Sequence, residues 1–464
     1  MEQPLAYLEK RANDDWLIGH NSRQFTQMAK QLYSELIERS QQGIPPKVLL
    51  AEREPVRFLA GFIAACAAGC PVFLSNPSWV KQEWQQVFKL VQPDLILGYG
   101  DWGVRDYYPN PEPKMLNQLI MIPTGGSSGQ IRFAIHTWKT LMSSVRGFQQ
   151  YFQLKQINSF CILPLYHVSG LMQFLRSFTS NGHMAVVPFK EFAASKRCDI
   201  NPEQFFISLV PTQLHRLLQN PALVSWLSRC QTVLLGGAPA WDELLQQARR
   251  ERIRLAPTYG MTETASGIAT LKPQDFLEFN NSCGRVLSHA KVTIHSSTGQ
   301  LLGINQIGNI SIQSESLALG YYPECFTRQE IQLDDLGFFD EQGFLNIVGR
   351  NSNKIITGGE NVFPFEVEAA IRATQLVNDV CVIGIPDLHW GQVVTAIYVP
   401  SDSSVSNVLL QAALEDRLSK FKRPKYWIAL TSLPRNSQGK VNYEQLQQIV
   451  NEYLTESITP APQP

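Results

Sequence analysis

The sequence predicts an α/β protein: a large N-terminal domain of parallel sheets with crossover helices, a small β subdomain appended to it, and an α+β domain at the C-terminal end. Three observations carry this. Helical periodicities alternate with short apolar runs of strand length through roughly the first 260 residues, as in parallel sheets joined by helices. After Gly284-Arg285 the pattern turns to β-type alternation, in VTIHS and GNISIQS. Beyond Ser352 it changes again, to a mixed unit of about a hundred residues, long enough to fold by itself. The expected boundaries are 1–350, 351–454, and a tail at 455–464 whose three prolines in the last five residues predict disorder.

Taken in order, Phe25, Met28, Ala29, Leu32 and Leu36 recur at helical spacing, and residues 48–51 form a buried-strand run. Helix and strand alternate again at 58–68, 72–74, 84–90 and 95–97. The longest apolar stretch, 58–74, is rich in Ala and Gly and runs into Pro71, so it reads as a buried helix followed by a strand rather than a membrane span. A strand at 119–122 delivers the chain into a Gly/Ser-rich loop, and further strands follow at 160–163, 184–188, 206–210, 232–235 and 255–258. Ligands of such sheets gather at the carboxyl ends of the strands. In the last domain a helix starts near Pro364 with Val367, Ala370 and Ile371, strands follow at 380–383 and 393–399, and Leu410, Leu414, Leu418 and Phe421 share one helical face.

Composition excludes several classes of partner. Lys plus Arg and Asp plus Glu balance at 40 each, so nothing favours nucleic acid or an anionic membrane surface. Eight cysteines fall without CxxC pairs or zinc spacing, and no signal peptide opens the chain; free buried thiols in a reducing cytoplasm fit best.

Five segments carry chemistry. In LDDLGFFDEQGFLNIVGRNSNKIITGGENVFPFEVE, beginning at Leu333, a short hairpin could set the Asp335 carboxylate beside the Arg350 guanidinium; the pair suits ribose hydroxyls and phosphate, or is a solvated ion pair. Thr124, Gly125, Gly126, Ser127, Ser128 and Gly129 directly follow a strand, where glycines let backbone N–H groups and hydroxyls wrap a polyphosphate, or form a flexible turn. In Tyr259-Gly260-Met261-Thr262-Glu263-Thr264 a ring can stack on a purine, a hydroxyl can hold a phosphate and a carboxylate can ligate Mg2+; a strand ending in a helix capped by Thr262 or Thr264 is the plainer alternative. His167, in LPLYHVSG, follows a strand and precedes an apolar helix, as a pocket residue or a structural one. Lys440 closes LPRNSQGK, where a solitary lysine is ordinarily a surface charge.

The order and spacing of these segments resemble the adenylate-forming superfamily of acyl-CoA synthetases, luciferases and peptide-synthetase adenylation domains, from about Asn21 to Leu446. The resemblance implies that family's fold, with a mobile C-terminal domain, and an ATP-dependent acyl-CoA ligase working through an acyl-adenylate. It implies ATP and CoA as substrates and Mg2+ at Glu263. It places the triphosphate on Thr124–Gly129 and Arg132, adenine along Gly237-Ala238-Pro239 and Tyr259, and ribose on Asp335 and Arg350. It makes Lys440, Thr262 and His167 catalytic, lines the acyl pocket with His167, Ser169 and Thr212, and gives Ser352, Gly358, Gly359 and Glu360 to the hinge and CoA. Departures stand beside the matches. Leu333-Asp334 replaces the Thr-Gly that usually precedes the ribose aspartate, Gly125 replaces a serine, and Ile131-Arg132 replaces Pro-Lys while keeping the charge. The acid expected is an aromatic one with a second carboxylate and a keto group, from quinone biosynthesis. A medium-chain or other aromatic acid, a carrier protein loaded by adenylation, and a silent nucleotide-binding regulator are the alternatives. The expected partners are small molecules, with no nucleic acid or integral membrane association, and homo-oligomerisation is left open.

Overall fold

The computed structural model describes residues 2–40, 44–98, 118–125, 130–194, 200–325, 330–358, 360–387, 389–435 and 441–458. The expectations placed on Gly126, Ser127, Ser128, Gly129, Gly359 and Lys440 lie outside them, as do residues 459–464 of the tail.

Val48, Leu50, Val72, Leu74, Ile120 and Ile122 face one core while Leu49, Phe73 and Met121 face another. With apolar groups on both faces, the period-two alternation of a strand shows as an unbroken apolar run, the signature of a parallel sheet covered on both sides. These strands belong to a seven-stranded sheet running Glu324–Cys325, Gly320–Tyr321, Ile131–Thr137, Leu119–Gly125, Val72–Leu74, Val48–Leu50, Leu95–Leu97; its last four strands are parallel. An eight-stranded sheet runs Leu17–Ile18, Met184–Val186, Asn158–Cys161, Phe205–Leu209, Thr232–Leu235, Leu255–Met261, Ser266–Thr270, Arg285–Val286, with the first six parallel.

A layer of helices separates the two sheets. The helices Pro55–Ala67, Trp138–Phe152 and Val168–Thr179 send Phe58, Phe62, Leu141, Val145, Leu171 and Phe174 into the core that also receives Val72 from one sheet and Cys161 and Met184 from the other. Fully burying one such side chain is worth roughly 1.5–3 kcal/mol, against about 0–1 for an exposed ion pair such as Arg229–Glu203. The core therefore decides the architecture. The helix Pro55–Ala67 starts where Glu54 accepts from the Val56 and Arg57 amides, with Pro55 at its first position.

The β subdomain is a four-stranded antiparallel sheet, Ala290–His295, Gly308–Ser314, Glu330–Phe339 and Leu345–Arg350. At the C-terminal end, the hairpin Val377–Asp387/Gly391–Pro400 buries Val380, Val382, Val394 and Ala396 on one face and Cys381, Ile385, Val393 and Ile397 on the other. The helix Pro364–Arg372 covers it, and Arg372 lays its guanidinium 4.6 Å over the Trp241 ring of the large domain. No helix among the described residues is long and apolar enough to cross a membrane.

Four expectations need correction. Leu410, Leu414, Leu418 and Phe421 do not share one helix: Asn407–Ala413 ends before Leu414, Phe421 sits exposed in a separate short turn, and the Arg423 guanidinium takes the Leu418 and Glu415 carbonyls at 2.9 and 2.7 Å. The Leu414 and Glu415 amides already reach back only three residues, to the Gln411 and Ala412 carbonyls, so the helical ladder has stopped there. The last helix, Tyr443–Ile458, runs past residue 455. The 255–258 strand continues to Met261, and the next element is a single three-residue turn, Thr262–Thr264, between two strands, so neither threonine caps a helix. Cys325 is exposed, unlike the buried Cys70, Cys161, Cys230 and Cys381.

Candidate active site

The hairpin expected around Asp335 forms, and its register sets Asp335 directly opposite Arg350. Arg350 Nε donates to Asp335 Oδ1 at 3.0 Å, and the Tyr259 hydroxyl donates to Oδ2 at 2.5 Å. Asp335 is buried, and burial together with this carboxylate pushes the Tyr259 hydroxyl far above its ordinary value, so it stays a donor. Each carboxylate oxygen keeps a lone pair for a further donor, the arrangement two vicinal hydroxyls require. Asp334 has its own work. Its backbone carbonyl accepts from the Asn351 amide at 2.8 Å and its Oδ2 from the Ser352 amide at 3.0 Å, pinning the segment that leaves the β subdomain.

The turn Thr262–Thr264 is held by all three of its carbonyls. His136 Nε2 lies 2.8 Å from that of Thr262, the Ala318 amide donates to that of Glu263 at 2.8 Å, and Ser316 Oγ donates to that of Thr264 at 2.9 Å. The Met261 amide donates to Thr264 Oγ1 at 3.0 Å. The strand enters this turn through a bulge at Tyr259/Gly260, where any side chain on Gly260 would start 2.1 Å from the Ser266 carbonyl oxygen. The Glu263 carboxylate accepts at Oε1 from the Tyr321 hydroxyl.

His136, fully buried, sits on the strand that returns from the Gly/Ser-rich loop, where Thr124 pairs with Arg132 and Gly125 with Ile131. Burial holds its imidazole down at about 4, hence neutral. Nε2 faces a carbonyl and so carries the proton; Nδ1, 3.0 Å from Thr140 Oγ1, is the acceptor. Arg132 lays its guanidinium 3.5 Å from the centroid of the Tyr321 ring.

The remaining groups leave one edge. The strands Asn158–Cys161, Phe205–Leu209, Thr232–Leu235 and Leu255–Met261 are parallel neighbours in register, so His167, Thr212, the Gly237–Pro239 loop and Thr262 all follow carboxyl ends on the same side. His167 precedes the helix Val168–Thr179 and packs its ring 4.5 Å from that of Tyr166; the Ser169 carbonyl accepts from Gln173 Nε2. Gly237, Ala238 and Pro239 are exposed, with Gly237 at φ 83°. Gly358, at φ 58°, turns between Ile355–Thr357 and the strand that opens with the exposed Glu360, and a side chain there would begin 2.8 Å from the Trp390 ring. Ser352, Lys354, Gly358 and Trp390 line an open cleft of about 850 Å3. Arg435 and Val441, which flank the Lys440 segment, form an antiparallel bridge.

Sequence reading missed His136, Tyr321 and the bonds that Asp334 accepts from Asn351 and Ser352. Tyr321 lies 58 residues from Glu263 and His136 lies 126 from Thr262, so only the three-dimensional pairing of strands reveals either contact.

Two sheets enclosing a helix layer, a carboxylate–arginine–tyrosine node and a clamped Thr-Glu turn define the class of nucleotide-activating α/β enzymes. The sequence matches the AMP-binding enzyme family over residues 100–322 and the AMP-binding enzyme C-terminal domain over residues 366–440, and the chain belongs to this family of adenylate-forming enzymes. Within it the chain is similar to the 2-succinylbenzoate–CoA ligase of Oceanobacillus iheyensis, 33% identical over 336 residues, 70% of this chain and 68% of the relative. The enzyme of the same name from Listeria monocytogenes is 30% identical over 367 residues, 76% and 75% of the two chains. Among solved structures, O-succinylbenzoate coenzyme A synthetase from Bacillus subtilis in complex with AMP gives a TM-score of 0.79 at 23% identity, covering 96% of this chain and 98% of that one. ATP-bound MatB from Rhodopseudomonas palustris gives 0.81 at 21%, covering 97% and 99%. At these identities the structures establish the shared fold.

Proposed function

We propose that this protein is an ATP-dependent acid–thiol ligase converting 2-succinylbenzoate to 2-succinylbenzoyl-CoA through an acyl-adenylate. It would serve menaquinone or phylloquinone synthesis in the cytoplasm, as a single chain or a homo-oligomer. The observation that carries the chemistry is the node in which Tyr259, from the strand that leads into the Thr262–Glu263 turn, and Arg350 each hold one oxygen of the buried Asp335. The acid is supported by relatives of that name at 30% identity or more over about 70% of this chain.

Asp335 accepts both ribose hydroxyls while Tyr259 and Arg350 fix its plane. Thr262 offers its hydroxyl to the α-phosphate, and Thr124–Gly129 with Arg132 take the β- and γ-phosphates. Glu263 suits Mg2+: Oε1 is held by Tyr321, Oε2 is a hard donor, and no cluster of three or more His, Cys, Asp or Glu among the described residues builds an all-protein cage. That matches a cation bound by one carboxylate and the substrate's own phosphates. The cation supplies charge neutralisation on the leaving pyrophosphate.

A carboxylate oxygen of the acid attacks the α-phosphorus, the bond to pyrophosphate breaks, and Lys440 offsets the negative charge that accumulates between the reactants. The C-terminal domain then turns about Ser352 and brings Gly358, Gly359 and Glu360 to the adenylate. The CoA thiol loses its proton, its sulfur attacks the acyl carbon, and AMP leaves. His167, Ser169 and Thr212 line the acyl pocket and supply polar contacts for the second carboxylate and keto group.

The test is ATP- and Mg2+-dependent thioester formation from 2-succinylbenzoate, compared with benzoate, a medium-chain fatty acid and cinnamate-type acids. Strong preference for 2-succinylbenzoate is expected. Thioester from another acid reassigns the substrate, and adenylate without thioester points to a carrier protein as acceptor.

A further inference from the structure

We propose that Tyr321 is a positioning residue for the triphosphate end of the site, setting Glu263 and Arg132 together for one Mg2+–triphosphate. The inference rests on the adenylation reading above and names a residue that none of the motifs contains.

Tyr321 stands where two motifs meet. Its strand pairs with the one returning from the phosphate loop, Tyr321 lying opposite Ala134, and the Leu319 and Tyr322 amides donate to the Ile135 and Phe133 carbonyls at 2.7 and 2.9 Å. Just upstream, Ser316 and Ala318 hold the carbonyls of Thr264 and Glu263. The segment 316–322 is therefore fixed to both motifs by bonds to their main chain before the Tyr321 side chain is considered. From this frame the Tyr321 hydroxyl donates to Glu263 Oε1, and the Tyr321 ring lies 3.5 Å beneath the Arg132 guanidinium.

Each contact does something separable. A donor on Oε1 stops the carboxylate from rotating and leaves Oε2 as the ligand oxygen, the outer-shell role that commonly governs metal affinity. A ring face beneath a guanidinium fixes its plane while leaving its N–H edge for phosphate oxygens, which an unstacked side chain would present in many orientations. Arg132 stands where the superfamily places a lysine, and an ammonium has no plane to fix. The stacking half of the device is thus tied to this chain's own substitution.

The experiment is equilibrium binding of ATP with and without Mg2+ by calorimetry on the full-length chain, alongside both half-reactions. Tyr321→Phe keeps the ring and removes the donor: the Mg2+ concentration needed for half-maximal binding should rise about ten-fold, with metal-free ATP binding unchanged. Tyr321→Leu removes both contacts and should weaken metal-free ATP binding as well. Arg132→Lys tests the stacking half in a chain whose fold is not at risk, and should weaken metal-free binding while sparing the Mg2+ requirement. Thioester formation from supplied acyl-adenylate, which carries no β- or γ-phosphate, should fall less than adenylate formation in all three. Wild-type Mg2+ dependence in Tyr321→Phe, or equal loss of both half-reactions with a lowered melting temperature, overturns the proposal. Failure of the unaltered protein to bind Mg2+–ATP overturns the adenylation reading itself.

Discussion

At the scale of single residues, the site depends on groups held in one protonation state. His136 serves the Thr262 carbonyl through the proton on Nε2, and burial keeps the ring neutral, with Nδ1 facing the Thr140 hydroxyl. His136→Ala should raise the Mg2+–ATP concentration giving half-maximal adenylate formation by about ten-fold, the cost of a lost bond to a buried carbonyl being roughly 1–3 kcal/mol. His136→Gln, whose amide nitrogen reaches the same distance, should recover most of this; steady-state titration with ATP checks both. The same burial makes stability depend on pH with a definite sign. The folded state holds His136 near 4 against an ordinary 6.5, so the unfolded chain binds the additional proton. Its contribution is complete above about pH 6.5 and is lost as pH falls toward 4, on the order of 3 kcal/mol at full shift. His289, held near 4 by burial and then by Arg176, adds to the same window with the same sign. Urea midpoints at pH 7.5 and 4.5 should show this fall, and His136→Gln should make it shallower.

At the scale of elements, what the sequence disclosed depended on how local the cause was. The helix Ser22–Ser40 and the strands Val48–Leu50 and Val72–Leu74 were legible because burial alone wrote their periodicity. The Asp335–Arg350 hairpin was legible because its two strands are neighbours in sequence. The end of the helix Asn407–Ala413 was not, since Leu414 and Leu418 stay buried at helical spacing after the ladder has given way to three-residue turns. Nor was the form of the Thr262–Thr264 turn, whose carbonyl partners come from residues 136, 316 and 318. That turn and the Asp334–Ser352 contact can each be tested by one substitution. Gly260→Ala puts a Cβ within 2.1 Å of the Ser266 carbonyl oxygen, a main-chain atom that cannot swing aside, so the bulge must open. Adenylate formation should fall at least a hundred-fold while pyrophosphate exchange and thioester formation fall with it, and circular dichroism should show the sheets retained. Asp334→Gly, which restores the residue common in the superfamily, releases the Ser352 amide. An exposed bond of this kind is worth about 1 kcal/mol, roughly a five-fold change in the conformational equilibrium at the hinge proposed for Ser352. The ratio of the two half-reaction rates should change by that factor, and Asp334→Asn, which keeps an acceptor oxygen, should change it less.

For the whole molecule, the proposed mechanism puts Lys440 and the Gly358–Glu360 segment on one mobile unit, and the question is what that arrangement would achieve. Charge on the α-phosphate is greatest while pyrophosphate departs, and the thiol must reach an acyl carbon that only exists afterwards, so the two groups are needed at different times. A domain that presents one and then the other removes the conflict, provided its docking in each position is worth only a few kcal/mol and can be exchanged. The Arg372 guanidinium over Trp241 is a contact of that size: a cation–π pair worth roughly 0.5–2 kcal/mol, made by a side chain that Asp379 and the Val380 carbonyl hold in place. Separate use in time has a consequence that simultaneous use does not. Lys440→Ala should abolish pyrophosphate release from ATP and acid, by at least a hundred-fold, yet transfer a supplied acyl-adenylate to CoA at a rate within about three-fold of the unaltered protein. Rapid-quench measurement of the two half-reactions decides it. Equal loss in both would mean that the lysine serves one arrangement common to the two steps, and the hinge at Ser352 would then have no catalytic exchange to perform.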